Sequence, residues 1–169
     1  MNNKKTALCA VLAALSIVFG YVESLFPLPV PVYGVKVGIS NSVILAAMYM
    51  VGGPVPWIVM IIKTLCQALL FSGFSPFLYS VSGGILSVLG MTALKKTGKF
   101  GVPGVSVVGG VLHNIGQLLC AGVILKTINI FYYLPVLIIS GVVSGFVIGV
   151  ATDIILKRLK LSIGGALEK

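Results

Sequence analysis

Leu25 to Asn41 reads LFPLPVPVYGVKVGISN and differs from nearly everything on either side of it. Pro27, Pro29 and Pro31 alternate with Leu28 and Val30, so this backbone has few amide donors and is biased to extended or polyproline geometry. Gly34 and Gly38 flank Lys36 and allow a turn on each side of one positive charge. The runs before and after it are long and apolar. Irregular backbone cannot face lipid unless its polar groups find protein or water partners. The stretch is therefore expected to cap a bundle of apolar helices at one membrane face.

Composition agrees. The 169 residues are 58% hydrophobic and 9% charged, with a mean hydropathy of +1.15. A soluble domain carries about 25% charged residues. Too little polar material remains to cover a water-facing surface, so the chain reads as one integral membrane domain, 1–169. Its apolar runs are continuous rather than alternating, which predicts helices and not a barrel. Cys9, Cys66 and Cys120 each sit in an apolar run without a C-x-x-C pair, so packing is expected rather than a disulfide or a metal site. No cofactor is expected. Lys4 and Lys5 before the first run resemble a signal peptide, but the run is long and lacks a small-x-small cleavage site, so it is read as an uncleaved span.

The expected spans are about 6–25, 37–51, 55–71, 76–94, 104–125 and 134–156, with an external connector at 26–36. Span two is short for a crossing helix, and charge placement decides whether it crosses. With six spans, Lys4, Lys5, Lys95, Lys96, Lys99, Lys157, Arg158, Lys160 and Lys169 fall on one side, and Lys36 and Lys126 on the other. If span two were re-entrant, the clusters at 95–99 and 157–160 would both lie outside. The positive-inside rule thus predicts an all-α membrane protein of six transmembrane helices with both termini cytoplasmic. The net charge of +9 reflects this topology and not nucleic-acid binding.

Polar residues inside spans are expensive and mark function. Lys63 falls near the middle of span three, with Gln67 one turn outward on the same face. His113 and Asn114 fall near the middle of span five, with Gln117 one turn outward from His113. Asn41 opens span two and Glu23 closes span one, both at the outer side. Together with Lys36 these predict a polar, outward-open ligand pocket roofed by the connector. The structural alternatives are Glu23 paired with Lys36 or Lys63, His113 as a satisfied core histidine, and Asn or Gln as interhelical hydrogen-bond partners. In span one, Ala10 and Ala14 stand four apart beside Ala7 and Ala13, a spacing that lets another helix approach closely.

These residues carry a resemblance. Pro27-x-Pro29-x-Pro31 followed by Gly34-Val35-Lys36-Val37-Gly38-x-x-Asn41 resembles the Gx transporter family, also labelled heptaprenyl diphosphate synthase component I. Ser75-Pro76-Phe77-Leu78-Tyr79-Ser80-x-x-Gly83-Gly84 and His113-Asn114-x-Gly116-Gln117-Leu118 fit its later segments. The resemblance implies an S-component-like bundle, similar to the substrate-binding subunits of energy-coupling factor transporters. It further implies that Ala10 and Ala14 dock on a coupling transmembrane subunit driven by cytoplasmic ATPases. Prenyl diphosphate synthases hold magnesium diphosphate with aspartate-rich motifs. This chain has one Asp, Asp153, and no paired carboxylates, so it is not expected to be the catalytic subunit. It also lacks a P-loop.

Two readings follow. The first is a substrate-binding subunit for uptake of a small molecule that is vitamin-, flavin- or isoprenoid/quinone-related. The second is a non-catalytic membrane subunit or scaffold associated with isoprenoid-quinone synthesis or a flavin-based redox system. A self-contained secondary carrier fits less well, since acidic relay residues are scarce.

Overall fold

The computed structural model describes residues 3–25 and 38–167, with side chains at 3–25, 38–70 and 73–159. The connector, with Lys36, lies outside the described residues. Six α-helices follow in order: α1 Asn3–Leu25, α2 Ile39–Met50, α3 Val55–Gln67, α4 Phe74–Lys96, α5 Val102–Leu125 and α6 Leu134–Leu167. A π-helical turn, Ala68–Ser72, prolongs α3, and a 3-10 turn, Asn129–Tyr133, leads into α6. No strand occurs among the described residues. The helices α1, α4 and α5, and α6 with its leading turn, are each long and apolar enough to cross a membrane. This is a multi-pass membrane protein. α2 and α3 are shorter apolar helices of 12 and 13 residues.

The boundaries follow local chemistry. α2 starts at Gly38, whose φ of 78° needs a residue without a Cβ penalty. α3 starts with Pro54 and Pro56 in its first turn, where the missing N–H is harmless. α4 begins at Phe74, two residues before the expected start, because Pro76 is likewise tolerated in a first turn. α6 continues past the expected 156 to Leu167, since Lys157 and Arg158 are good helix formers and Lys157 pairs with Asp153 one turn back at 2.6 Å.

α5 packs closely against both α4 and α6, while α1, α2 and α3 form a second group joined through α2–α6 and α3–α4 contacts. Glycine sets the first group's spacing. A Cβ on Gly141 would lie 2.9 Å from the Val111 backbone, and one on Gly145 2.8 Å from Ser106 O. The α5 and α6 backbones are therefore in direct contact, as small residues permit. Gly116 meets Gly83 of α4 in the same manner.

The apolar core joins Leu12 and Ala13 of α1, Val43 to Met48 of α2, Val55 and Val59 of α3, Val88 and Met91 of α4, and Val105 of α5. Because successive helices run antiparallel, these segments all fall in one half of the bundle. The intramembrane polar residues singled out above lie at mid-depth or in the other half.

Candidate binding site

The polar half is built around the N-terminus of α2. The first N–H groups of a helix have no intrahelical partner, and no side chain within α2 caps them. Glu23, in the last turn of α1, reaches across. Its carboxylate accepts hydrogen bonds from Gly38 N–H and from Ile39 N–H at 3.2 Å, and Ser40 Oγ donates to its second oxygen at 2.9 Å. An anion at a helix N-terminus is favoured by the macrodipole as well as by these amides. The two ends of the connector are thereby held together.

One turn into α2, Asn41 Oδ1 accepts a hydrogen bond from Lys63 Nζ at 2.5 Å. Lys63 is 7% exposed, so this side chain is buried inside the bundle. Gln67, one turn further along α3, lies against Gly20 of α1. A Cβ there would meet Gln67 Nε2 at 1.6 Å, so a larger residue would require the Gln67 amide to move. Glu23 thus ties α1 to α2, Lys63 with Asn41 ties α3 to α2, and Gln67 of α3 packs against Gly20 of α1.

The candidates on α5 divide. His113 and Gln117 both approach Gly83 of α4: a Cβ there would lie 3.1 Å from His113 Cε1 and 2.9 Å from Gln117 Cγ. Gln117 Oε1 is buried without a hydrogen-bond donor. A buried amide oxygen left unmatched costs about 1–3 kcal/mol. Asn114 faces another way and donates to Leu137 O of α6 at 2.7 Å, which makes it an interhelical tie. Met60, one turn before Lys63, fills the space at Gly84 of α4, so the faces of α3 and α5 that carry Lys63 and His113 both border α4.

Ala10 and Ala14 are exposed on α1, on the face turned away from Cys9, Leu12, Ala13 and Ser16. Val11, Leu15 and Val18 surround them and are exposed too.

Two ties escaped the sequence reading. Ser40 completes the Glu23 cap, and its signal is an uncapped helix start preceded by a positive-φ glycine. At the opposite end, Lys95 donates to Met48 O and lies 4.6 Å from the centre of the Tyr49 ring. It therefore satisfies a carbonyl in the last turn of α2 and adds a cation–π contact. Counting Lys95 only as a topology charge hid this role.

A sequence profile described as heptaprenyl diphosphate synthase component I matches residues 12–155. The chain belongs to that family. The match begins in α1 and ends in α6, so it covers both the Glu23–Asn41–Lys63 region and the His113–Gln117 region. The heptaprenyl diphosphate synthase component I description designates one component among others. No curated protein and no solved structure matches the chain.

Proposed function

We propose that this chain is the substrate-binding subunit of an importer in the cytoplasmic membrane, with six spans and both termini inside. It binds one small molecule from outside, while partner ATPases act through a coupling subunit docked on Ala10 and Ala14. The observation that carries this reading is Lys63, a buried, mid-helix ionisable side chain that donates to Asn41 and stands one turn from Gln67. In a membrane protein a buried ionisable side chain is costly and marks a functional site. His113 and Gln117 supply the second wall, and Lys36 in the connector supplies the roof. Asn114 holds α5 to α6 behind them. An ammonium, an imidazole and amides suit a phosphate, a carboxylate or a quinone oxygen. The chain itself is not an enzyme in this reading.

Native mass spectrometry of the purified protein identifies the co-purifying ligand. Lys63→Met and His113→Leu retain bulk and remove the polar head. A hydrogen bond to a charged group contributes roughly 1.5–3 kcal/mol, so each change weakens binding about tenfold or more. If both variants fold and hold the ligand at wild-type affinity, the residues only join helices and the pocket reading fails.

The family description favours a second reading, a non-catalytic membrane scaffold for isoprenoid-quinone synthesis. Co-purification of a soluble prenyl synthase subunit with no small molecule bound supports it over the first.

A further inference from the structure

A groove of about 530 Å³ runs between α4 and α5, a volume in the range of small-molecule sites. Leu78, Ser82 and Ile85 line it from α4, and Leu119, Cys120 and Val123 from α5. Ser82 Oγ donates to Gly116 O at 2.8 Å, so the hydroxyl in the lining is already engaged. A polar ligand would leave its own groups unmatched there, whereas a hydrocarbon chain loses nothing.

The register of the two helices shows what stands at the groove's mouth. Leu78, Ser82 and Ile85 lie at i, i+4 and i+7 on α4, and Phe74 is one turn earlier on the same stripe. Leu119, Val123 and Lys126 have the same spacing on α5. Gly116 meets Gly83, and Gly109 meets Met91, so the helices are antiparallel. Lys126, ten residues past Gly116, therefore comes level with Phe74, nine before Gly83. The 24 residues of α5 rise about 36 Å, slightly more than the roughly 30 Å of hydrocarbon. Lys126 and Phe74 thus stand at headgroup level. Both are exposed, and an aromatic ring is at home at that depth.

Lys126 needs an anion from outside the described chain. The two described carboxylates are engaged, Glu23 at the start of α2 and Asp153 with Lys157. Lys126 has no partner among the described residues. It also ends α5 at a φ of 49°, a left-handed turn usually left to glycine. We infer that the groove holds one acyl chain of an anionic phospholipid, with the phosphate on Lys126 and the glycerol region against Phe74. The site lies on α4 and α5 alone and does not depend on what the Lys63 region binds.

The test uses the full-length protein with Cys9→Ala and Cys66→Ala, so that Cys120 reports on the groove. Its alkylation by N-ethylmaleimide is timed in neutral, low-salt detergent as phosphatidylglycerol or phosphatidylcholine is added. One lysine at an anionic headgroup is worth roughly fivefold in affinity. Phosphatidylglycerol is expected to protect Cys120 at about one fifth of the phosphatidylcholine concentration. Lys126→Gln removes that difference and Lys126→Arg keeps it, which separates charge from folding. Lys99→Gln, beyond the other end of α4, also keeps it. The proposal is overturned if neither lipid slows alkylation, if both protect alike in the parent protein, or if Lys126→Gln keeps the difference. Protection that rises with protein concentration in the absence of lipid overturns it too, since a second copy of the chain then covers the groove.

Discussion

Removing the Glu23 carboxylate tests whether α2 depends on a cap borrowed from another helix. Glu23→Ala leaves Gly38 N–H, Ile39 N–H and Ser40 Oγ without their acceptor. The Ile39 contact is solvent-exposed and 3.2 Å long, so it adds little. The other two are partly buried, and at the low end of the range for a charged acceptor, about 1.5 kcal/mol each, they sum to roughly 3 kcal/mol. Glu23→Gln keeps one acceptor oxygen but loses the charge, so about half of that is expected. Helices near 12 residues are marginal without tertiary support, and α2 has 12. The loss should therefore concentrate in its first turn. Hydrogen exchange on the protein in detergent reads it directly. The amides of residues 38–41 should exchange about 100-fold faster in Glu23→Ala and roughly tenfold faster in Glu23→Gln, while those of α5 are unchanged. Unchanged exchange at Gly38 and Ile39 in Glu23→Ala would show that the carboxylate contributes nothing to α2 and refute the reasoning.

Gly141→Ala places a methyl 2.9 Å from the Val111 backbone and should destabilise by about 1–3 kcal/mol. Gly104→Ala, whose nearest neighbour would be 3.5 Å away, should be neutral or slightly stabilising in the same thermal unfolding assay. Replacing Ala10 and Ala14 together with Leu should leave the unfolding midpoint within a few degrees of wild type, yet reduce capture of a coupling subunit in a pull-down; undiminished capture would move the docking face elsewhere. In a background lacking Cys9, Cys66 and Cys120, Lys99→Cys should be labelled by an impermeant thiol reagent only from inside, and Lys126→Cys only from outside. The reverse pattern would overturn the six-span topology.

The helices were legible because apolar length and Gly-Pro punctuation survive any packing arrangement. Gly52-Gly53-Pro54 separates α2 from α3, and glycines of α5 and α6 lie at their backbone contact. Which face of each helix turns inward was harder to read. α4 and α6 are apolar all round, so no periodic stripe points to the core. On α5, His113 and Asn114 are adjacent in sequence and about 100° apart around the helix, so one borders Gly83 and the other holds Leu137. Lys63 and Asn41 could each be singled out from the expense of polar groups in lipid, but their pairing depends on the register of α2 against α3. Pairing with Lys36 or Lys63 is the structural alternative that the sequence offers for Glu23. The unsatisfied amides at the start of α2 compete for the same carboxylate, and a helix terminus has no signature in side-chain charge.

The length of α2 has a consequence for the bilayer. Twelve residues at about 1.5 Å each give roughly 18 Å, against about 30 Å of hydrocarbon. In the six-span arrangement proposed above, both ends of α2 stop short of the headgroups. Those ends are where a carboxylate meets the helix amides and an ammonium meets its carbonyls. Lipid packed beside α2 must thin, or polar material must dip inward, by several ångströms on each side. A solute travelling along this helix then faces a hydrocarbon barrier of little more than half the usual thickness, and the mismatch should make the protein favour thinner membranes over thicker ones.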